Sequence, residues 1–389
     1  MPFPASISRQ PTAELGFAAK MVDDCLNEAV NIRASDLHLQ PRSDSWEVFY
    51  RIDGVLHLAK TFPVDRDTDP VARLMALANL PSYMGGVPQE GTFTWKSIDG
   101  SIREMRLSTF STVHGRRAAI RISGHAGTVR TLEQLGVSEE TSLALGGVCE
   151  GKDGWCLVAG PAGSGKTTTL YACLASIAAS NNRRSVLTIE DPVESIIDSI
   201  SQSQLQPNSG LTLAAAMRSA VRQDAEVLLV TEIRDTETAE AVLAASMTGH
   251  LCFSSIHSAS VGSTLRRLVQ MNLPTFAIQS GLRAVLCQRL LRCLCKKCES
   301  HNQRSQECSQ CHGTGYQGRL PVMQLVEFDG ADFSHQLFEK LEQGATADQL
   351  DRFIESKGFA SLKSQATQLV QSGVTDEAEV FRVFGGRRS

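Results

Sequence analysis

Apolar positions recur at helical spacing across residues 14–31 (ELGFAAKMVDDCLNEAVN), which predicts an amphipathic helix. ASDLHLQP follows. WEVFYRIDGVLHLA then alternates like two strands turning at Asp53-Gly54. Residues 70–85 return to helical spacing. Between 91 and 123 the alternation predicts a short antiparallel sheet with turns at Asp99-Gly100 and His114-Gly115. These elements make a small α+β domain over residues 1–124. A linker over 125–137 follows, and the segment GHAGT carries the glycines that loosen a backbone.

From about residue 138 the period changes. WCLVAG reads as a strand, 166–179 as a helix, SVLTIE as a strand, and 211–223 as a helix. EVLLVT, a helix over 236–248, and LCFSSI continue the alternation. Strands alternating with helices predict a mainly parallel sheet covered on both faces. Residues 325–389 read as mostly helical, so 138–389 forms one α/β domain with a helical C-terminal part. No internal repeat or low-complexity tract breaks this division.

Composition bounds the reading without deciding it. The chain has 389 residues, 42% hydrophobic and 21% charged, as in a soluble globular protein of two or three domains. A net charge of -4 argues against a general polyanion-binding surface. No apolar run reaches the roughly 18 residues needed to span a bilayer. The opening MPFPASISRQPTAELG has no basic-then-apolar export pattern. Of the 11 cysteines, Cys149, Cys156, Cys173 and Cys252 lie in apolar stretches and read as small buried hydrophobes. That usage suits a reducing, cytoplasmic setting.

Gly160-Pro161-Ala162-Gly163-Ser164-Gly165-Lys166-Thr167 fits G-x-x-x-x-G-K-[ST], with Thr168 next. It follows an apolar strand and opens a helix. Glycines let the backbone amides wrap phosphates, and the helix N-terminus adds positive partial charge. The motif therefore predicts ATP binding, with Lys166 at the β- and γ-phosphates and Thr167 on Mg²⁺. Glu232 ends the strand EVLLVT, at the sheet edge where α/β ligands bind, and suits activation of the attacking water. Glu190, with Asp191 and Glu194, ends SVLTIE at the same edge. His257 follows LCFSSI and is placed to sense the γ-phosphate; His250 is nearby.

At this point the chain resembles the type II/type IV secretion ATPase family along nearly its whole length. ASDLHLQP with YRIDGVL resembles the family's N-terminal domain, GPAGSGKTTTLYA its P-loop, and TIEDPVE its aspartate box. MRSAVRQDAEVLLVTEIRDTETAEAV resembles its Walker B region and TGHLCFSSIHS its histidine box. The resemblance implies a RecA-like ATPase domain behind the α+β domain. It makes Glu232 the catalytic glutamate, Glu190 an acid near Mg²⁺ and water, and His257 the histidine-box residue. Arg218 and Arg222 become ATPase-domain arginines, and Arg106 and Arg121 a pair closing over nucleotide between the domains. It further implies a homo-hexamer that hydrolyses ATP to drive a membrane platform protein, peripheral to the inner membrane. Docking would use the remaining surface or another subunit, because the helical regulatory domain of larger assembly ATPases has no room ahead of ASDLHLQP.

Several positions depart from the family pattern. Thr231 stands where glycine is usual, Gln223-Asp224-Ala225-Glu226 replaces Gln-Asp-Pro-Asp, SSIHSAS replaces the common histidine box, and Arg116 replaces an acid after Gly115. No reactive group is lost. The departures suggest a divergent branch.

Cys295-x-x-Cys298 and Cys308-x-x-Cys311 are two pairs nine residues apart, suited to tetrahedral Zn²⁺. Cys293, His301 and His312 are nearby substitutes. A closed four-thiolate site would fix a loop rather than catalyse. The segment 293–319 also resembles the zinc-binding insertion of assembly and secretion motors, which retraction motors lack. Arg289, Arg292, Lys296 and Lys297 surround it and read as a solvated basic face, since no aromatic stacking residues are interleaved. Two rivals stand beside the motor: a nucleic-acid translocase, which the near-neutral charge opposes, and a non-hydrolysing nucleotide-binding regulator.

Overall fold

The computed structural model describes residues 16–63, 69–82, 86–122, 129–206, 210–299, 308–328, 330 and 332–385. The chain divides into two compact units, the first ending at Ala126 and the second beginning at Gly127. The expected linker segment Gly124–Thr128 lies outside the described residues, as does His301.

The first unit contains α1 (Phe17–Asn31), β1 (Asp36–Pro41), β2 (Ser45–Ile52), β3 (Val55–Pro63), α2 (Pro70–Leu77), β4 (Gln89–Lys96), β5 (Ile102–Thr112) and β6 (Gly115–Ile122). Its strands form one antiparallel sheet in the order β3-β2-β1-β6-β5-β4. Asp53 and Gly54 both have positive φ, 48° and 84°, as the tight β2–β3 hairpin requires. Alternation sends Leu37, Leu39, Val48, Tyr50, Met105, Leu107 and Ile120 to one buried core with the apolar stripe of α1. Tyr50 ties the two layers: its hydroxyl donates to the Cys25 carbonyl at 3.2 Å and the Glu28 carboxylate at 3.0 Å. Helical spacing predicts a helix reaching residue 85, but α2 ends at Leu77. Asp69 caps its start, Pro70 opens it, and Asn79 leaves helical geometry at φ 53°. Residues 83–85 lie outside the described residues.

The second unit opens with a 3-10 turn, Glu133–Leu135, and α3 (Glu139–Glu150), capped by Ser138. There follow β7 (Gly154–Ala159), α4 (Lys166–Ala179), β8 (Val186–Glu190), β9 (Ser201–Gln204), α5 (Leu213–Ala220), β10 (Val227–Glu232), α6 (Thr236–Ser246), β11 (Leu251–Ile256), α7 (Val261–Gln270), α8 (Thr275–Gly281) and β12 (Leu282–Leu294). The short α9 (Lys296–Glu299), β13 (Tyr316–Glu327), α10 (Asp332–Glu342), α11 (Ala347–Ser356), α12 (Leu362–Gln371) and α13 (Glu377–Phe384) complete it. The sheet order is β13-β12-β7-β11-β10-β8-β9, and only the β12–β13 pair is antiparallel. Both faces are covered. Along β7, Trp155, Leu157 and Ala159 enter one core, while Cys156 and Val158 enter the other.

The long β12–β13 hairpin is absent from the sequence reading, which takes 325–389 as helical. β13 runs on to Glu327 before the helices begin. Its sheet position also buries Gln288 and Arg292, at 1% and 8% exposure. The basic face expected around the cysteines is therefore not solvated at Arg292.

Candidate active site

β7 ends at Ala159 and α4 starts at Lys166, so Gly160–Gly165 must turn the chain at the carboxyl end of the parallel strands. Gly163 and Gly165 adopt left-handed φ angles of 73° and 89°. Gly160 is required by space: a Cβ there would lie 2.4 Å from Ser164 Oγ and 2.8 Å from the Gln288 carbonyl oxygen. Pro161, Ala162 and Gly163 are exposed, Thr167 is half-buried, and Thr168 is exposed on the first turn of α4. The Lys166 ammonium donates to the carbonyls of Gly160 at 2.9 Å and Pro161 at 3.1 Å, so it lies along the loop. Burial lowers its pKa; the Glu232 charge opposes that shift and Arg289 adds to it.

Glu232 ends β10 with 17% of its side chain exposed. Its carboxylate meets His257 Nε2 at 2.9 Å and Arg234 Nε at 3.1 Å. Arg234 also reaches Asp191 at 4.0 Å. The sheet slips register between Val230 and Glu232, and the intervening Thr231 is used structurally. Its hydroxyl donates to the Ile189 carbonyl at 3.0 Å, and its own carbonyl accepts from Ser255 Oγ at 2.7 Å. The unusual threonine thus ties β10 to both neighbours. His250 serves structure, its Nδ1 lying 3.2 Å from the Ala245 carbonyl.

Glu190 lives differently. It is fully buried, and both oxygens are taken. Tyr171 and Thr188 donate hydroxyls to it, Thr188 at 2.6 Å, and Gln202 Nε2 donates at 3.0 Å. The Tyr171 hydroxyl also accepts from the Glu194 N–H at 3.2 Å. This network fastens α4, one turn after Lys166, to the aspartate-box loop.

The arginines separate into two groups. Arg218 pairs with Glu237 at 2.6 Å on an exposed face, and Arg222 follows in the turn after α5. In the first unit, Arg106 and Arg121 stand directly opposite each other on β5 and β6. Two like charges across a strand pair repel. Asp36 offsets this, facing Arg121 across β1 and β6 and pairing with it at 3.4 Å and with Arg51 at 3.3 Å.

Cys295, Cys298, Cys308 and Cys311 are all buried, with their sulfurs within 4.8 Å of one another. Cys295–Cys308 and Cys298–Cys311 sulfurs are 3.8 and 3.5 Å apart. Disulfide bonds would bring them to about 2.05 Å. Four thiolates at tetrahedral Zn–S distances of about 2.3 Å stand roughly 3.8 Å apart, so the donor set fits zinc. Backbone N–H groups of Cys311 and Gln310 lower the Cys308 pKa to about 6. Neither Cys293 nor His312 belongs to the cluster; His312 instead donates its backbone N–H to Cys308 at 2.8 Å.

Sequence reasoning missed Arg234, Tyr171 and Gln288. Arg234 lies inside the quoted EIRD motif, and its spacing from Glu232 was the available signal. Tyr171 and Gln288 touch their partners only through the fold.

The family described as "Type II/IV secretion system protein" matches residues 12–382. Type II secretion system protein HxcR of Pseudomonas aeruginosa is 34% identical, over 94% of this chain and 76% of the relative. Type IV pilus assembly ATPase TfpB of Acinetobacter baylyi is 33% identical, over 97% and 67%. Among solved structures, the Legionella pneumophila ATPase DotB superposes with TM-score 0.74, at 19% identity, over 95% of this chain and 96% of that one. The pilus retraction motor PilT with bound ADP gives 0.65, at 22% identity, over 92% and 96%. The two structural likenesses establish the fold, and the family match over nearly the whole sequence makes this chain a member of the type II/IV secretion ATPase family.

Proposed function

We propose that this protein is a motor ATPase that powers assembly of a type IV pilus or a type II secretion pseudopilus. It acts as a homo-hexamer at the cytoplasmic side of the inner membrane, through a platform protein. The observation that carries this reading is the meeting of Lys166, Glu232 and His257 at one end of a parallel sheet. The relatives named as secretion and pilus-assembly proteins support the process, and the four-thiolate cluster supports assembly over retraction.

The Gly160–Thr167 amides would hold the nucleotide phosphates, and Lys166 would exchange its two carbonyl partners for phosphate oxygens. Thr167 would hold Mg²⁺, which supplies charge neutralisation when bound. Glu232 takes a proton from water as the water oxygen bonds the γ-phosphorus and the bond to the ADP oxygen breaks. It must first loosen its hold on His257 or Arg234. Glu190 positions α4 and the aspartate-box loop, since its oxygens are already bonded. Arg106, Arg121, Arg218 and Arg222 are the cations offered to phosphate or to neighbouring subunits. The four cysteines would hold a structural Zn²⁺ through their thiolates and fix the loop that carries them.

Steady-state ATP hydrolysis by zinc-loaded protein, with and without DNA, tests the reading. Slow hydrolysis indifferent to DNA, from an oligomer, is expected. Strong DNA stimulation would favour a translocase, and a protein that stays monomeric with nucleotide at high concentration would overturn the ring.

A further inference from the structure

β12 runs beside β7 with Cys287 opposite Ala159, so Gln288 lies against the start of the P-loop. Gln288 is 1% exposed, and its Nε2 donates to the Ser164 carbonyl at 2.6 Å. A carbonyl acceptor fixes which way the amide faces. Its Oε1 is left buried without a partner, and so is Ser164 Oγ. Two orphaned polar atoms cost stability, and such groups ask for a reason.

The reason lies in the peptide they adjoin. The Ser164 carbonyl and the Gly165 N–H belong to one planar trans peptide and point opposite ways. Holding the carbonyl on Gln288 turns the Gly165 N–H away from β12. That N–H has no acceptor among the described residues. Gly165, at φ 89°, has no Cβ to resist rotation of this peptide from its side. An outside anchor is therefore needed.

We propose that Gln288 is a positioning residue of the nucleotide site, locking the Ser164–Gly165 peptide so that the Gly165 N–H faces bound phosphate. The proposal rests on the P-loop reading above. β12 is well placed for the task. Arg289 bonds the Gln288 carbonyl and the Ala259 carbonyl, each at 2.9 Å, which joins this strand to the loop after His257.

The test titrates mant-ADP with Mg²⁺ into wild type, Gln288→Leu and Gln288→Met, and records thermal melting of each without nucleotide. Loss of one hydrogen bond weakens nucleotide affinity about 3- to 10-fold. Melting of the empty protein should change little, because the Ser164 carbonyl loses its donor while the orphaned Gln288 oxygen goes with the amide. Wild-type affinity in a variant that melts normally would overturn the proposal. A large fall in melting of both variants would also overturn it, by making Gln288 a support of the fold rather than of the loop. If wild type itself bound no mant-ADP, the P-loop reading would fall instead.

Discussion

β8 and β10 are neighbours in one sheet, and each ends in a glutamate. Glu232 is partly open and held by the His257 ring and the Arg234 guanidinium. Glu190 is sealed and held by neutral donors from Tyr171, Thr188 and Gln202. A carboxylate held at an open edge by separable partners can turn to water. One whose oxygens are spent inside the core can only hold its surroundings. On the proposed function, the same residue type at matching strand ends does two jobs, and the partners decide which.

The largest expected effect sharpens the first half. Glu232→Gln should lower hydrolysis by roughly 10²–10⁴-fold, the usual size of a lost general base, while mant-ADP affinity stays within a few-fold. Steady-state kinetics beside a binding titration checks this.

A third carboxylate extends the comparison. Glu379 is fully buried like Glu190 but is held by cations, Arg292 at 2.8 Å and Arg382 at 2.6 Å. Glu379→Ala should cost about 3–5 kcal/mol in denaturant unfolding, because it strands buried Arg292. Burial alone would raise the Glu379 pKa, yet the bonds from Arg382 and Arg292 prevail and hold it below its ordinary 4.5. A depressed folded pKa stabilises above the unfolded value and loses that contribution as pH falls through the folded one. Wild-type melting should therefore drop below pH 4.5, and Glu379→Gln should show less of that drop.

Glu190→Gln should cost about 1–3 kcal/mol of stability, the toll of one mismatched buried donor, with hydrolysis per folded molecule reduced far less than in Glu232→Gln. His257→Ala is the smallest change. Its side chain is 44% exposed, so stability should move by less than about 1 kcal/mol in the same unfolding assay.

The P-loop and the alternating elements were legible in the sequence because they rest on local signals: glycine spacing, strand runs and helical period. The helix over 166–179 is found at Lys166–Ala179. The partners of Glu190 and Arg292 were not legible. Nothing around Glu190 announces Gln202, and nothing around Arg292 announces Glu379, 87 residues away. Without that partner, Arg292 reads as a surface cation. Likewise LRAVLCQRLLRCL mixes apolar and basic residues without a clear period, because one strand there serves the sheet, the P-loop and the cysteine site.

The central claim is that Glu232 acts on the substrate and Glu190 acts on the fold. Parallel measurement of hydrolysis and thermal melting for Glu232→Gln and Glu190→Gln tests it directly. The account predicts lost turnover with unchanged melting in the first, and lowered melting with turnover largely kept in the second. Near-complete loss of turnover in Glu190→Gln at unchanged melting would contradict it.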